Sequence, residues 1–151
     1  MESRIISIYA HEHDTEYWYD INKCLIDQGY FYESQDRGNN KMQINVGDDI
    51  YLLCRYSGDR AEIKFRCRVE QVNIPNDSDC LLTEDEYVHN DDGVKSSFYF
   101  KARLTEIYKD GTFPLQTLRK LDLVSRHYQL NGDKVSSELI SYIEENKYKN
   151  E

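Results

Sequence analysis

The chain is poor in the residues that break or divide a backbone. Of 151 residues only Pro75 and Pro114 are proline and seven are glycine, and nowhere do they gather into a linker. A chain of this length without a divider reads as one domain, residues 1–151, able to bury a single core. Long apolar runs are absent too, and no window approaches the roughly 20 apolar residues of a membrane-spanning helix. The opening stretch, MESRIISIYAHEHD, alternates polar and apolar residues where a secretion signal would be continuously apolar. A soluble, cytoplasmic protein without a membrane partner is expected.

Several kinds of chemistry lack their usual signature. Cys24, Cys54, Cys67 and Cys80 include no C-x-x-C pair of the sort that prepares a zinc site or a dithiol couple. Gly47, Gly58, Gly93, Gly111 and Gly132 stand singly, so neither a P-loop nor a dinucleotide fingerprint is present. His11-Glu12-His13 is the one clustered metal-like signal. Successive strand residues point to opposite faces, however, and no H-E-x-x-H spacing places both imidazoles on one side of a helix. A Cys–His nucleophile would need one of the cysteines beside His89 or His127, and no spacing brings them together. No catalytic residue, metal ligand or cofactor is therefore assigned. Positive charge is also short: 19 Lys and Arg against 28 Asp and Glu give a net charge of −9. Proteins that grip duplex nucleic acid gain affinity by neutralising phosphates, and this balance argues against that mode.

What the chain does have is alternation. From Val46 to Ile74 it reads VGDDIYLLCRYSGDRAEIKFRCRVEQVNI, two strands joined at Ser57-Gly58-Asp59. Ile50, Leu52 and Cys54 share one face of the first strand, and Ala61, Ile63, Phe65, Cys67 and Val69 one face of the second. Cys54 and Cys67 fall on that apolar face, where a reduced cysteine behaves as a small hydrophobe. The opposite face carries Lys64, Arg66 and Arg68. Between Tyr51 and Arg68 five cations, Arg55 and Arg60 included, meet only Asp59 and Glu62.

The rest follows by local signals. Ile5 to Tyr9 reads as a first strand. Asp14 or Thr15 is placed to cap a helix with Trp18, Ile21, Leu25 and Ile26 at helical spacing and Gly29 just past its end. An aromatic loop follows, with Tyr30, Phe31 and Tyr32 and then a polar stretch including Gly38, Asn39 and Asn40. Residues 75–93 hold seven acids and no Lys or Arg, and read as a solvated acidic insertion anchored by Leu81 and Leu82. Ser97 to Ile107 alternates Phe98, Phe100, Ala102 and Leu104 with Tyr99, Lys101, Arg103 and Thr105. Helices are expected over 114–124, opened by Pro114, and over 136–146, capped by Ser136, with a tight turn at Asn131-Gly132 between them. This order lacks the regular strand–helix alternation of a doubly wound fold. It predicts an α+β protein with a strongly curved, mixed or antiparallel sheet and peripheral helices.

An N-terminal strand, a helix containing Tyr17-Trp18-Tyr19, an aromatic loop before Lys41, then Val46-Gly47-Asp48-Asp49-Ile50-Tyr51 opening a hairpin that ends in Val69-Glu70-Gln71-Val72 together resemble the EVE-like branch of the PUA-like superfamily. The resemblance spans about residues 3 to 107, and FPLQTLRKLDLVSR and SSELISYIEEN resemble the short helices that trail such domains. It implies a pseudobarrel that reads nucleic acid, often through a modified base held between aromatic rings. Such relatives are often fused to nucleases that act in defence, which implies a role in defence or counter-defence. A base taken out of its stack needs replacement π-faces and hydrogen bonds to its edge. On this reading the rings are Tyr32 first, then Trp18 and Tyr56, with Tyr30 and Tyr51. Ser34 and Asn45 are edge readers, and Arg55, Lys64, Arg66 and Arg68 give a basic rim. Where relatives commonly carry tryptophan before the Gly-Asp strand, this chain has Phe31-Tyr32.

Each of these residues also has an ordinary structural explanation. Trp18 at helical spacing suits a core, thirteen tyrosines suit pleated surfaces, and an alternating charged face suits any exposed strand. Three functions follow. The first is a non-enzymatic module binding a modified nucleobase, a nucleotide or single-stranded nucleic acid. The alternative is an acidic protein-interaction module, with segment 77–92 docking on a basic protein to inhibit or regulate a nucleic-acid enzyme. A third is a small enzyme acting on nucleotides.

Overall fold

The alternation that runs from Asp49 to Pro75 becomes the middle of a six-stranded sheet. A computed structural model describes residues 1–37, 40–57, 60–93, 95–125 and 130–148. The expected turn residues Gly58 and Asp59, the loop residues Gly38 and Asn39, and His127 lie outside the described residues. In chain order the elements are β1 (Ser3–Tyr9), β2 (Trp18–Tyr19), α1 (Ile21–Gln28), β3 (Tyr30–Ser34), β4 (Asp36–Arg37), β5 (Asn40–Lys41), β6 (Asp49–Arg55) and β7 (Ala61–Pro75). A 3-10 helix (Asp79–Glu86), β8 (Val88–His89), β9 (Phe98–Ile107), α2 (Leu115–Lys120), β10 (Asp133–Lys134) and α3 (Ser137–Asn146) follow. The main sheet runs β10-β1-β6-β7-β9-β3, and β2-β8 and β4-β5 form two small ribbons. β1 lies parallel to β6, whereas the other neighbours in the main sheet are antiparallel. The protein is thus α+β with a mixed sheet, and β10 and β3 are its edges.

Both faces of this sheet are covered. Ile6, Ile8, Ile50, Leu52, Cys54, Phe65, Cys67 and Val69 pack on one side with Ile21, Cys24 and Leu25 of α1. Ile5, Tyr51, Leu53, Ala61 and Ile63 pack on the other with Leu115 and Leu118 of α2 and Leu139 and Ile143 of α3. The single apolar face expected for β7 is therefore divided. Leu52 pairs with Phe65 but Leu53 pairs with Ile63, so Lys64 is an extra residue that reverses the facing of everything before it. A bulge of this kind preserves the sequence alternation while moving Ala61 and Ile63 to the opposite side.

The first helix starts later than its apolar spacing suggests. Trp18 and Tyr19 are extended and pair with β8, and the cap is Asp20, whose carboxylate accepts from the Lys23 N–H at 3.3 Å. Ile21, Cys24 and Leu25 form the buried stripe and leave Ile26 74% exposed. Gly29 ends the helix as expected, at φ 80°, with its N–H donating to the Leu25 carbonyl at 2.9 Å. Ser136 caps α3 through the Leu139 N–H at 3.1 Å. The helix expected over 114–124 ends at Lys120, because Leu121 closes it and Asp122 turns left-handed at φ 57°.

The acidic segment exposes Asp77, Asp79, Asp85, Glu86, Asp91 and Asp92, as a solvated excursion would, but its anchor is not the expected leucine pair. Leu82 is exposed and Leu81 half-buried, and the buried side chains are Glu84 and Tyr87. The Tyr87 hydroxyl donates to Asp27 Oδ2 at 3.2 Å and its carbonyl accepts from the Asp20 N–H at 2.8 Å, which folds the segment back over α1 and β3. No helix among the described residues is long and apolar enough to cross a membrane.

Candidate functional site

The folded acidic segment encloses a cavity against the β3 edge of the sheet. It is steered there by Asn73, near the end of β7. This residue adopts φ 57°, donates its N–H to Gln35 Oε1 at 2.6 Å and accepts from Gln35 Nε2 at 3.3 Å. Gln35 is itself buried. The resulting cavity is about 480 Å³, a volume in the range of small-molecule sites. β3 contributes Tyr32, Glu33 and Ser34, the N-terminal side Tyr17 and Tyr19, the acidic segment Glu84 with its neighbours, and the approach to β9 Lys95, Ser96 and Tyr99.

Tyr32 and Ser34 thus lie where a ring and an edge reader were expected. Tyr32 is 7% exposed, with its carbonyl accepting from the Tyr19 hydroxyl at 3.4 Å, and burial pushes its phenol up to about 12. The Ser34 hydroxyl is bonded to the Ser96 hydroxyl and accepts from the Asp36 N–H at 3.0 Å. Tyr17 and Tyr99 complete the aromatic lining. Desolvation, reinforced by Glu33, Asp91 and Glu84, holds the Tyr17 phenol protonated as a donor, and desolvation raises Tyr99 in the same way.

The other expected rings are elsewhere. Tyr30 meets Tyr32 edge to face at 5.8 Å, beneath Lys101 and Arg103 at 4.3 and 5.4 Å from its ring centre. Trp18 is stacked on His89 at 4.3 Å and outside the cavity lining. Tyr51 is fully buried in the second core. Tyr56 is half-buried at the end of the hairpin, its hydroxyl accepting from Asn22 Nδ2 at 3.3 Å and its ring under Arg60 at 4.6 Å. Asn45 is exposed in the turn before β6, its N–H donating to Asp48 Oδ2 at 2.9 Å.

None of the expected cations borders this cavity. Lys64 pairs with Asp110, Arg66 with Asp49, Glu106 and Glu144, and Arg68 with Asp49, while Arg55 is half-buried beside Tyr9 and Arg119. The reason is position across the sheet, since β9 stands between β7 and the edge strand β3. Arg66 sits opposite Tyr51 and over its ring, on the face that α3 covers. The cavity is acidic instead: Glu33, Asp77, Asp79, Glu84, Asp85 and Asp91 line it, and Lys95 is the one Lys or Arg among its described lining residues.

Glu84 is the group that sequence reasoning missed most completely. It is buried while Asp85 and Glu86 beside it are exposed, and burial pushes its carboxyl up to about 8. In the run Glu84-Asp85-Glu86 nothing local singles it out. Tyr99 had a signal of sorts, since it opposes Ser34 across the β3–β9 ladder, but that signal needs the strand pairing to be known. No cluster of three or more metal-ligating side chains occurs among the described residues. His13 Nδ1 instead accepts from the Thr15 and Glu16 N–H groups at 3.2 and 3.0 Å.

No family model and no curated protein matches the chain. Among solved structures, a hypothetical protein from Leishmania major superimposes with a TM-score of 0.66 at 12% identity, covering 100% of this chain and 98% of that one. At that identity the likeness is one of fold.

Proposed function

We propose that the protein is a non-enzymatic binding module that takes a nucleobase, modified or not, into the cavity lined by Tyr17, Tyr32 and Tyr99, as a free nucleoside or nucleotide or as one base of a single strand. The observation that carries this reading is the cavity itself. Three tyrosines from three separate segments converge on a space of nucleoside size, beside the Ser34–Ser96 hydroxyl pair. Rings placed this way replace the stacking that a base loses on leaving its neighbours. The resemblance to EVE-like, PUA-like domains supports the same reading and implies a pseudobarrel, whereas the six-stranded sheet is open, with β10 and β3 as its edges.

The charge pattern divides the ligand. The carboxylates of Glu33, Asp77, Asp79, Asp85 and Asp91 around the cavity repel phosphate, so the base enters and the backbone stays outside. Lys101 and Arg103, stacked over Tyr30 on the face shared with Tyr32 and now paired with Glu70, are the cations placed to meet it there. Affinity is then set by stacking and edge contacts and falls only shallowly with salt, unlike phosphate-dominated binding.

A thermal-shift and calorimetric screen against modified and unmodified nucleosides and short oligonucleotides tests this. At least one ligand should raise the melting temperature of the unaltered protein and lose affinity in Tyr32→Ala. Absence of any shift, with Tyr32→Ala altering stability alone, would replace base binding by the second reading, a module docking on a basic protein in the cytoplasm. That reading draws on exposed Leu82 amid the exposed carboxylates of Asp79, Asp85 and Glu86.

A further inference from the structure

The cavity wall is aromatic and acidic at once, and the fold interleaves the two kinds of group. Asn90, at φ 59°, donates from its side-chain Nδ2 to the His13 and Glu16 carbonyls at 2.8 and 2.9 Å, which pins the chain just before Asp91 to the segment that carries Tyr17. Asp91 is thereby held in the wall, its Oδ1 accepting from the Gly93 N–H at 3.1 Å. Glu33 arrives from β3 beside Ser34, which opposes Tyr99 across the β3–β9 ladder. Both carboxylates act on the phenols of Tyr17 and Tyr99 alike, so each lies within electrostatic reach of two of the three rings.

This charge is not neutralised within the fold. On the sheet the carboxylates meet cations, Asp49 with Arg66, Glu70 with Arg103 and Asp110 with Lys64. Around the cavity Asp77, Asp79, Asp85 and Asp91 have no ion-pair partner among the described residues, and Lys95 alone opposes them in the described lining. The enclosed oxygens of Glu84 take no part. A concave wall of one sign concentrates its field inside the concavity, and tyrosine faces add to it because the ring quadrupole is negative above and below its plane. A neutral base gains stacking alone from such a site. Resting on the base-binding reading above, we propose that Glu33 and Asp91 make this cavity select a positively charged base, one methylated on a ring nitrogen, over its neutral isomer methylated elsewhere. Charge spread over a flat ring is weakly hydrated, as in a guanidinium, and meets the tyrosine faces and the carboxylates together.

The experiment is calorimetric titration of the whole chain at pH 7 with two isomer pairs, 1-methyladenosine against N6-methyladenosine and 3-methylcytidine against 5-methylcytidine, and with choline as a cation lacking a ring. Members of a pair share their atoms and differ in charge. At least one cationic member should bind more tightly than its isomer by on the order of tenfold, as for a cation on desolvated aromatic faces. Asp91→Asn, at an exposed position, should cut that preference severalfold, and adding Glu33→Gln should cut it further. Binding with equal affinities within both pairs, or a preference unchanged in both variants, overturns the charge selection and leaves base binding intact. Binding of no nucleoside, or of choline as tightly as the nucleosides, overturns both readings. Should the double variant fail to fold, Asp91→Asn and the isomer pairs on the unaltered protein decide.

Discussion

The Arg66 guanidinium donates to Asp49 Oδ2 at 2.7 Å across the central strands, and Asp49 has almost no contact with solvent. The same guanidinium reaches Glu106 Oε1 at 3.0 Å on β9 and Glu144 Oε1 at 3.4 Å on α3, so one side chain ties three elements together. These bonds hold Arg66 charged beyond its usual range, against the cost of desolvation. The residue whose alternation placed it on a ligand rim is a structural clamp between β6, β9 and α3, away from the cavity at the β3 edge.

Arg66→Ala removes the partner of a buried carboxylate. Stability to urea should fall by about 3 kcal/mol, in the range found when one member of a buried ion pair is lost. Ligand affinity of the protein that remains folded should be unchanged. A loss of affinity equal to that of a cavity variant would return Arg66 to the site.

Glu84 makes stability depend on pH in a direction opposite to most carboxyls. Its folded pKa, about 8, lies above that of an unfolded glutamate. Between those values the folded state therefore holds more protons than the unfolded one. The stabilisation is complete below the unfolded pKa and is lost as pH rises toward 8. Glu84→Gln should flatten this slope. At pH 9 it should be more stable than the unaltered protein by on the order of 1–3 kcal/mol, the cost of leaving a buried polar group unsatisfied. Denaturation midpoints from pH 5 to 9 measure it, and parallel curves for the two proteins would mean that Glu84 titrates normally.

Tyr99 and Trp18 separate the cavity from its surroundings. Tyr99 is half-buried in the lining, and Tyr99→Ala should weaken ligand binding by about 1–3 kcal/mol, the worth of one stacked ring. Trp18 stacks on His89 outside the lining, and Trp18→Ala should leave affinity within twofold while lowering the melting temperature. The reverse ranking would move the binding site to the β2–β8 ribbon.

The four cysteines should react as one and three. Cys80 is exposed, whereas Cys24, Cys54 and Cys67 are buried, with Cys24 and Cys54 pushed up to about 12 by desolvation. A thiol-specific reagent at pH 8 should modify one thiol rapidly and the others only on unfolding, because the thiolate is the reactive form. Two fast thiols would show that one core face is open.

The features read most directly from the sequence are those fixed by local chemistry. Gly29 ends a helix because its conformation suits few other residues, Ser136 caps α3 through a single hydroxyl, and Phe100 and Ala102 point inward because strand side chains alternate. The bulge at Lys64 was invisible because an inserted residue leaves the pattern of polar and apolar letters intact. Trp18 misled because its spacing from Ile21 and Leu25 fits a helix, whereas its distant β8 partner His89 fixes it as a strand. Of the candidate site, Tyr32 and Ser34 were legible as aromatic and polar groups, although the segment that reads as a loop is strand β3, held by pairing with β9. Glu84 was not, since only the fold distinguishes it from Asp85 and Glu86.

The parallel pairing of β1 with β6 has a consequence for the order in which the molecule is made. Ser3–Tyr9 emerges from the ribosome long before Asp49–Arg55, the strand it must join, and its outer neighbour Asp133–Lys134 comes later still. Ile5, Ile6 and Ile8 spend that interval as a bare oily segment, and the face holding Tyr51, Leu53 and Ile63 stays uncovered until α3 is synthesised. The first strand thus waits on a partner more than forty residues downstream, and the second core closes only once α3 has joined it.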